Sequence, residues 1–311
     1  MSKKVQLGKS DLYINPIGFG ANSVGGQNFY PNLTDEEAGK KLVHAAVDAG
    51  INFIDTAYLY GPGTSEELIG QALKESGKRS EVIIGTKGGY RPVGNEMVVD
   101  NSPEFLRQTF EESLKRLQTD YIDLYYIHFP DENTPKDEAI GVLKQLKDEG
   151  KIRAIGVSNF SIDQLKEGNK DGYIEVFQGA YNLVNRSAEE DLLPYCAQNN
   201  ISFIPFFPLA QGLLAGKYTK DTKFDDFRKG RSFLEGEGLV RNLEKVEQVR
   251  KIANAKEVEV AQVVLAWYLT HDAIDSIIPG AKRPDQILNN LKTLEVVLTP
   301  GEIQEIDRIF S

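Results

Sequence analysis

Four groups in this chain can carry acid–base chemistry if they meet: a carboxylate at Asp55, a phenol at Tyr60, an amine at Lys87 and an imidazole at His128. Asp55, Tyr58 and Tyr60 come from I51-N-F-I-D-T-A-Y-L-Y-G61, an apolar run that breaks into a loop before a glycine turn. An acid and a phenol at the mouth of a buried strand each bring a polar group that needs a partner. On that stretch alone, a loop-capping aspartate beside packed aromatics explains the residues better than chemistry does. Lys87 ends V82-I-I-G-T-K87, where a lone lysine would keep its stem on apolar surface and its charge in water. Beside Asp55 it becomes half of a partly buried ion pair. His128 ends D123-L-Y-Y-I-H128; of the three histidines, His44 and His271 fall in helical patterns. An ammonium near Tyr60 is expected to favour the phenolate and lower a pKa that starts near ~10. A tyrosine acid tuned by lysine, with an imidazole donor nearby, suits protonation of a carbonyl oxygen during reduction.

Each group stands at the end of a short apolar run. In chain order the runs span Pro16 to Gly20 (P-I-G-F-G), Ile51 to Asp55 (I-N-F-I-D), Val82 to Lys87 (V-I-I-G-T-K) and Ile122 to His128 (I-D-L-Y-Y-I-H). They continue from Ile152 to Asn159 (I-R-A-I-G-V-S-N), Val176 to Asn182 (V-F-Q-G-A-Y-N), Ile201 to Pro208 (I-S-F-I-P-F-F-P) and Ser276 to Gly280 (S-I-I-P-G). Most are β-branched or aromatic and continuous rather than alternating, as in strands covered on both faces. Between them lie helix starts. Thr34 with Glu37, Ser161 with Gln164, Ser187 with Glu190 and Thr299 with Glu302 fit the capping box, and Ser102 and Thr299 precede a proline suited to the first helical position. Eight such units in 311 residues predict an α/β fold closed as a (β/α)8 TIM barrel. Residues 5–15 predict a β-hairpin around G8-K9-S10-D11 that caps the barrel bottom. No linker composition divides the chain, so residues 1–311 read as one domain. The longest irregular stretch, 212–240, falls after the seventh strand, on the side where barrel sites lie. Closure would bring Gly20, Asp55, Lys87, His128, Ser158, Asn159, Gln178, Phe206, Phe207 and Gly280 to one rim.

Composition narrows the partners. A net charge of −10 argues against nucleic acid, which calls for basic surface. No apolar run is long enough for a bilayer, and the N-terminus has no apolar signal core. The single cysteine, Cys196, allows no internal disulfide and no CxxC pair, which fits a cytoplasmic protein. No heptad seam or sheet edge demands a second copy, so a monomer is expected. G18-F-G-A-N-S misses GxGxxG, and G212-L-L-A-G-K-Y is one residue short of a phosphate loop; HExxH and GxSxG are absent. A hydride donor would therefore bind the rim in another way.

Taken together, D55-T-A-x-x-Y60-G, the strand-ending Lys87, I-H128-x-P-D and I-G-V-S158-N159 resemble the aldo-keto reductases. The resemblance runs from the opening hairpin to the last helix. I-P-G-A-K-R-x-x-Q-x-x-x-N is similar to the branch holding bacterial reductases and potassium-channel β subunits. Y-I-H-F-P-D-E, N-K-D-G, I-S-F-I-P and L-L-A-G-K-Y-T most resemble bacterial reductases of the inositol-catabolism type. The resemblance implies a barrel that uses NADPH without a Rossmann fold, with a small-molecule carbonyl as substrate. It makes Tyr60 the proton donor, Lys87 and Asp55 its tuning pair, and His128 the group orienting the carbonyl. It assigns Ser158, Asn159 and Gln178 to the nicotinamide amide and Phe206 to its ring, with Ala21 and Asn22 also at the cofactor. It assigns Phe207, Leu209, Gln211, Gly212 and Lys217 to the pyrophosphate, and Gly280, Lys282, Gln286, Asn289 and Asn290 to the adenosine end, with Arg283 nearby.

Two departures from the family pattern stand out. Gly280-Ala281 and Gln286 replace a Lys-Ser and an Arg, so Lys282 and Arg283 either hold a 2′-phosphate by charge-assisted hydrogen bonds or form a solvated pair. Phe206 stands where relatives often carry Tyr or Trp. Tyr30, Tyr90 and Phe129 are expected as apolar walls. Two other readings fit the residues: an NADP(H)-sensing subunit with slow turnover, and a barrel isomerase or aldolase using Lys87 as a Schiff base.

Overall fold

A computed structural model describes residues 4–31, 35–93 and 96–311. The chain opens with β1 (Val5–Gln6) and β2 (Tyr13–Ile14), an antiparallel hairpin. Seven parallel strands follow: β3 (Phe19–Gly20), β4 (Phe53–Asp55), β5 (Ile83–Gly88), β8 (Ile122–Ile127), β9 (Ile152–Ser158), β10 (Val176–Ala180) and β11 (Ser202–Phe206). They lie side by side in that order. Between β5 and β8 comes a second hairpin, β6 (Tyr90–Val93) with β7 (Glu96–Val99), which is not among the strands expected from the sequence. Its Pro92 is tolerated because a two-stranded ribbon has only edge positions.

The eighth barrel position differs from the expected strand. Residues 276–280 make isolated parallel bridges, Ile17 to Ile277 and Gly20 to Gly280. The ring still closes: Phe203 N donates to Ala273 O at 2.8 Å, and Gly18 N donates to Ile277 O at 2.8 Å. Pro279 has no N–H for a ladder, and the Ser276 hydroxyl is spent on Asn15 O at 2.9 Å. The molecule is a (β/α)8 barrel with one weakly formed stave.

Why the runs are apolar throughout is visible in the packing. Inward residues Phe53, Leu124, Ala154, Val176 and Ile204 form one cluster with Leu7, Leu12 and Ile14 of the hairpin, which plugs the barrel bottom. Their strand neighbours Ile54, Tyr125, Ile155, Phe177 and Phe203 face outward into the shell of helices. Each Val, Leu, Ile or Phe among them adds roughly 1.5–3 kcal/mol by burial.

The shell consists of α1 (Glu36–Asp48), α2 (Thr64–Ser76), α3 (Pro103–Leu117), α4 (Lys136–Asp148), α5 (Ile162–Gly168), α6 (Leu192–Gln198), α7 (Gly236–Ala255), α8 (Val260–Tyr268), α9 (Pro284–Leu291) and α10 (Pro300–Phe310). Capping boxes form at Ser161–Gln164 and Thr299–Glu302, and Pro103 and Pro300 open their helices. Thr34 lies outside the described residues; α1 is capped by Asp35, which accepts from Ala38 N. Ser187 starts only a 3-10 turn, Ser187–Glu189, without a side-chain cap. Its hydroxyl goes back to Asn185 Oδ1 at 3.0 Å instead, and α6 begins later. Stretch 212–240 holds a 3-10 turn at Ser232–Leu234 and the start of α7, while the turns over Ala210–Ala215 are interrupted by left-handed residues at Gln211 and Gly212.

Candidate active site

Parallel closure places the strand ends on one rim, and the chemistry gathers there. β4 delivers Asp55 and β5 delivers Lys87, whose Nζ donates to Asp55 Oδ1 at 2.6 Å and to Thr56 O at 2.8 Å. The other carboxylate oxygen accepts from Gln178 Nε2 of β10 at 2.8 Å. Lys87 is 0 % exposed and Asp55 1 %, so each is kept charged by the other. Tyr60 sits above them on the loop after β4, with Lys87 Nζ 5.4 Å from its ring centroid. His128, one residue past β8, meets the Tyr60 ring edge-on at 6.4 Å. Asn159 Nδ2 ties the end of β9 to this group by donating to His128 O at 3.1 Å. The four residues singled out in the sequence are therefore neighbours.

Their electrostatics correct one expectation. Burial pushes the Tyr60 hydroxyl well above the usual phenol range, and the Asp55 charge and the phenols of Tyr30 and Tyr90 push the same way. The ammonium does not generate a phenolate, because it is already held by Asp55 and Thr56. Tyr60 thus stays protonated at neutral pH, as a proton donor must. Burial lowers Lys87 and raises Asp55, while their mutual attraction opposes both shifts. Burial, then the Lys87 charge, drives His128 well below the ordinary imidazole value. It is a neutral ring with one N–H to offer.

Beside this cluster runs a cavity of about 420 Å³. Asn22, Ser158, Asn159, Gln178, Phe206, Phe207, Leu209, Gln211, Gly212, Lys217, Gly280, Lys282 and Gln286 all line it. Four of the expected cofactor residues do not. Ala21 is buried beneath the rim, its N–H on Asp55 O at 2.8 Å. Arg283 points to solvent with its fork on Asp285, 3.0 Å for both bonds. Asn289 is engaged by Glu259 and Gln262, and Asn290 is buried in α9. Tyr30 and Phe129 are cavity walls as expected; Tyr90 stands behind them, edge-on to His128 at 5.4 Å.

Sequence reasoning missed Phe29, Leu59, Tyr218 and Arg228, which also line the cavity. They lie on loops, where no periodicity marks an inward side; the one available signal was aromatic residues in otherwise polar stretches. Phe227 packs against Phe29, Tyr30 and Phe207 at 5.8, 5.4 and 6.2 Å. The chain after β11 is strained: Phe207, Ala210 and Gln211 hold φ of 50, 46 and 58°. Such left-handed non-glycine residues cost on the order of 1–3 kcal/mol each and cluster at ligand sites. Gly212 follows at φ 101°, and a Cβ there would collide with the Tyr218 hydroxyl. Two cavity residues keep buried polar atoms without a partner among the described residues, His128 Nδ1 and Gln211 Oε1. An unpartnered imidazole nitrogen at one end, with an unpartnered amide oxygen beside a tight glycine turn at the other, fits an elongated polar ligand.

A barrel whose rim joins a buried Lys–Asp pair to a phenol and a neutral imidazole, beside a long groove, defines a carbonyl-reducing oxidoreductase. The chain belongs to the aldo/keto reductase family, whose model matches residues 16–310. It is 39 % identical to Aldo-keto reductase YhdN of Bacillus subtilis, over 87 % of this chain and 82 % of that one. It is 34 % identical to the NADH-specific methylglyoxal reductase of Escherichia coli, over 96 % of each. Among solved structures it resembles the glycerol dehydrogenase AKR11B4 from Gluconobacter oxydans, with TM-score 0.89, 32 % identity and coverage of 99 % and 94 %. Reduction of carbonyls with a nicotinamide cofactor is the family's chemistry, and this chain shares it.

Proposed function

We propose that this reductase acts on small aldehydes and ketones with NADPH, and that Tyr60 is its proton donor. The observation behind the reading is the buried Lys87–Asp55 pair, 2.6 Å apart, directly under the Tyr60 ring. A nicotinamide held in this cavity would supply the hydride. Tyr60 gives its hydroxyl proton to the carbonyl oxygen as negative charge develops there, and the Lys87 ammonium below stabilises the phenolate left behind. His128, neutral, donates its N–H to the same oxygen and orients it.

Ser158, Asn159 and Gln178 would hold the carboxamide and Phe206 the ring face. Phe207, Leu209, Gln211, Gly212 and Lys217 would follow the pyrophosphate, and Gly280, Lys282 and Gln286 the adenosine end. For a 2′-phosphate the supporting residue is Lys282, which lines the cavity with its Nζ 3.9 Å from the Tyr30 ring centroid. Arg283 joins it only by leaving Asp285. Because one relative carries the name NADH-specific, this assignment needs its own test. Lys282→Ala is expected to reduce the NADPH-over-NADH ratio of kcat/KM about tenfold, one charge-assisted bond being worth roughly 1.5–3 kcal/mol; an unchanged ratio would remove Lys282 from the phosphate site.

The relatives above are named as enzymes, which favours turnover over a purely cofactor-sensing role. Inositol-derived ketoses and small aldehydes are the two substrate sets that the sequence resemblance raises. A panel of both, followed by NADPH absorbance, with inositol and NADP⁺ run in reverse, decides between them. No turnover with any carbonyl would end the reading. A cytosolic monomer, folded as one barrel over residues 1–311, completes the proposal; no described helix is long and apolar enough to cross a membrane. Sedimentation at twice 34.6 kDa would replace the monomer.

A further inference from the structure

Inside the barrel, directly below the site, lies a second phenol. Tyr126 stands cross-strand from Lys87 on β5 and from Gly156 on β9. A side chain on Gly156 would collide with the Tyr126 ring, and one on Gly85 would come within 3.3 Å of its edge. Both neighbouring strands thus omit side chains where this ring lies. Lys87 Nζ is 5.4 Å from the Tyr126 ring centroid, the same distance as from that of Tyr60. The ammonium sits between two phenols.

The Tyr126 hydroxyl is buried and makes no well-formed hydrogen bond. A buried polar group left so is destabilising, and a phenylalanine would fill the same slot without that loss. Gln178 and the charge of Asp55 are the polar neighbours that act on the hydroxyl. Asp55 Oδ2 accepts from Gln178 Nε2 at 2.8 Å, and the proposed function assigns that same amide to the nicotinamide carboxamide. Once Gln178 turns to the cofactor, Asp55 Oδ2 loses this donor, while Oδ1 keeps the Lys87 ammonium.

Resting on that reading, we propose that Tyr126 is a positioning residue whose hydroxyl takes over the hydrogen bond to Asp55 when Gln178 engages the cofactor. It keeps the Asp55–Lys87 pair charged beneath Tyr60. The other titratable groups facing this pocket are Tyr60 and His128 at the rim and Glu66, whose charge reaches Lys87 from α2. A donor to the carboxylate favours its ionised form. Losing it therefore moves the acid limb of the kcat profile upward, not downward.

The test is Tyr126→Phe, which keeps the ring and removes only the oxygen. Without cofactor, its thermal midpoint is expected to equal or exceed that of the wild type, because an unused buried hydroxyl has gone. With saturating NADPH, the acid limb of kcat is expected to rise by about one pH unit, while carbonyl KM and cofactor Kd stay within about twofold. A midpoint several degrees lower without cofactor, or a variant that does not fold, would show the hydroxyl already in structural use and overturn the proposal. Coincident acid limbs would overturn it too. An active wild type with an unshifted variant removes only this role, whereas a wild type inactive on every carbonyl removes the reductase reading and this role together.

Discussion

The charge on His128 decides how the pocket meets a carbonyl oxygen. Burial and Lys87 hold it well below its ordinary value, so in the folded protein it is neutral where an unfolded histidine begins to protonate. The unfolded chain then binds more protons than the folded one, and stability rises with pH. As pH falls through ~6.5, the loss approaches about 1.4 kcal/mol per pH unit for each such histidine. His271, lowered mainly by burial, works in the same sense. Urea midpoints at pH 7.5 and 5.5 check this: the wild type is expected to lose stability at the lower pH, and His128→Asn to lose less. Equal losses would mean that His128 titrates normally in the fold. Asp55, Lys87 and His128 were legible in the sequence because a polar residue ending a buried run has few reasons to be there. The state of the Tyr60 phenol was not, since burial depth and the prior claim of Asp55 on the ammonium are properties of the packed barrel alone.

Elements carry information of a different kind. The outward and inward alternation of Phe53 with Ile54, and of Leu124 with Tyr125, was hidden in runs that are apolar on both faces. Register resolves it, and shows Gly156 to be a packing partner of Tyr126. Gly156→Ala is expected to destabilise the protein by about 1–3 kcal/mol through overpacking, read as a lower urea midpoint. Tyr126→Leu in the same chain is expected to recover most of that loss; no recovery would place the clash elsewhere. Helix starts were legible where a side chain caps its own helix, at Ser161 and Thr299. Ser187 failed because Asn185 competes for its hydroxyl, a local choice that spacing does not encode. The loop residues Phe29, Phe227 and Arg228 escaped for a related reason: without a period, nothing in the sequence says which way a loop side chain faces.

At the scale of the molecule, the barrel was predictable because short buried runs alternate with helix signals, and eight such units is the count at which a parallel sheet closes into a ring. The weak eighth stave at residues 276–280 was not, since Pro279 looks like any residue of an apolar run until its neighbours require an N–H. Closure matters chemically: it alone brings Gln178, 123 positions from Asp55 in sequence, into hydrogen-bond contact with it. The rim then acts as one acid unit, with Tyr60 as donor and Lys87–Asp55 as its support. The direct test is Tyr60→Phe, with NADPH oxidation by an aldehyde measured beside cofactor binding by fluorescence. Turnover is expected to fall by at least about 10²–10⁴-fold, the usual worth of a general acid, with cofactor affinity nearly unchanged. Turnover at the wild-type rate would contradict the assignment of the proton to Tyr60.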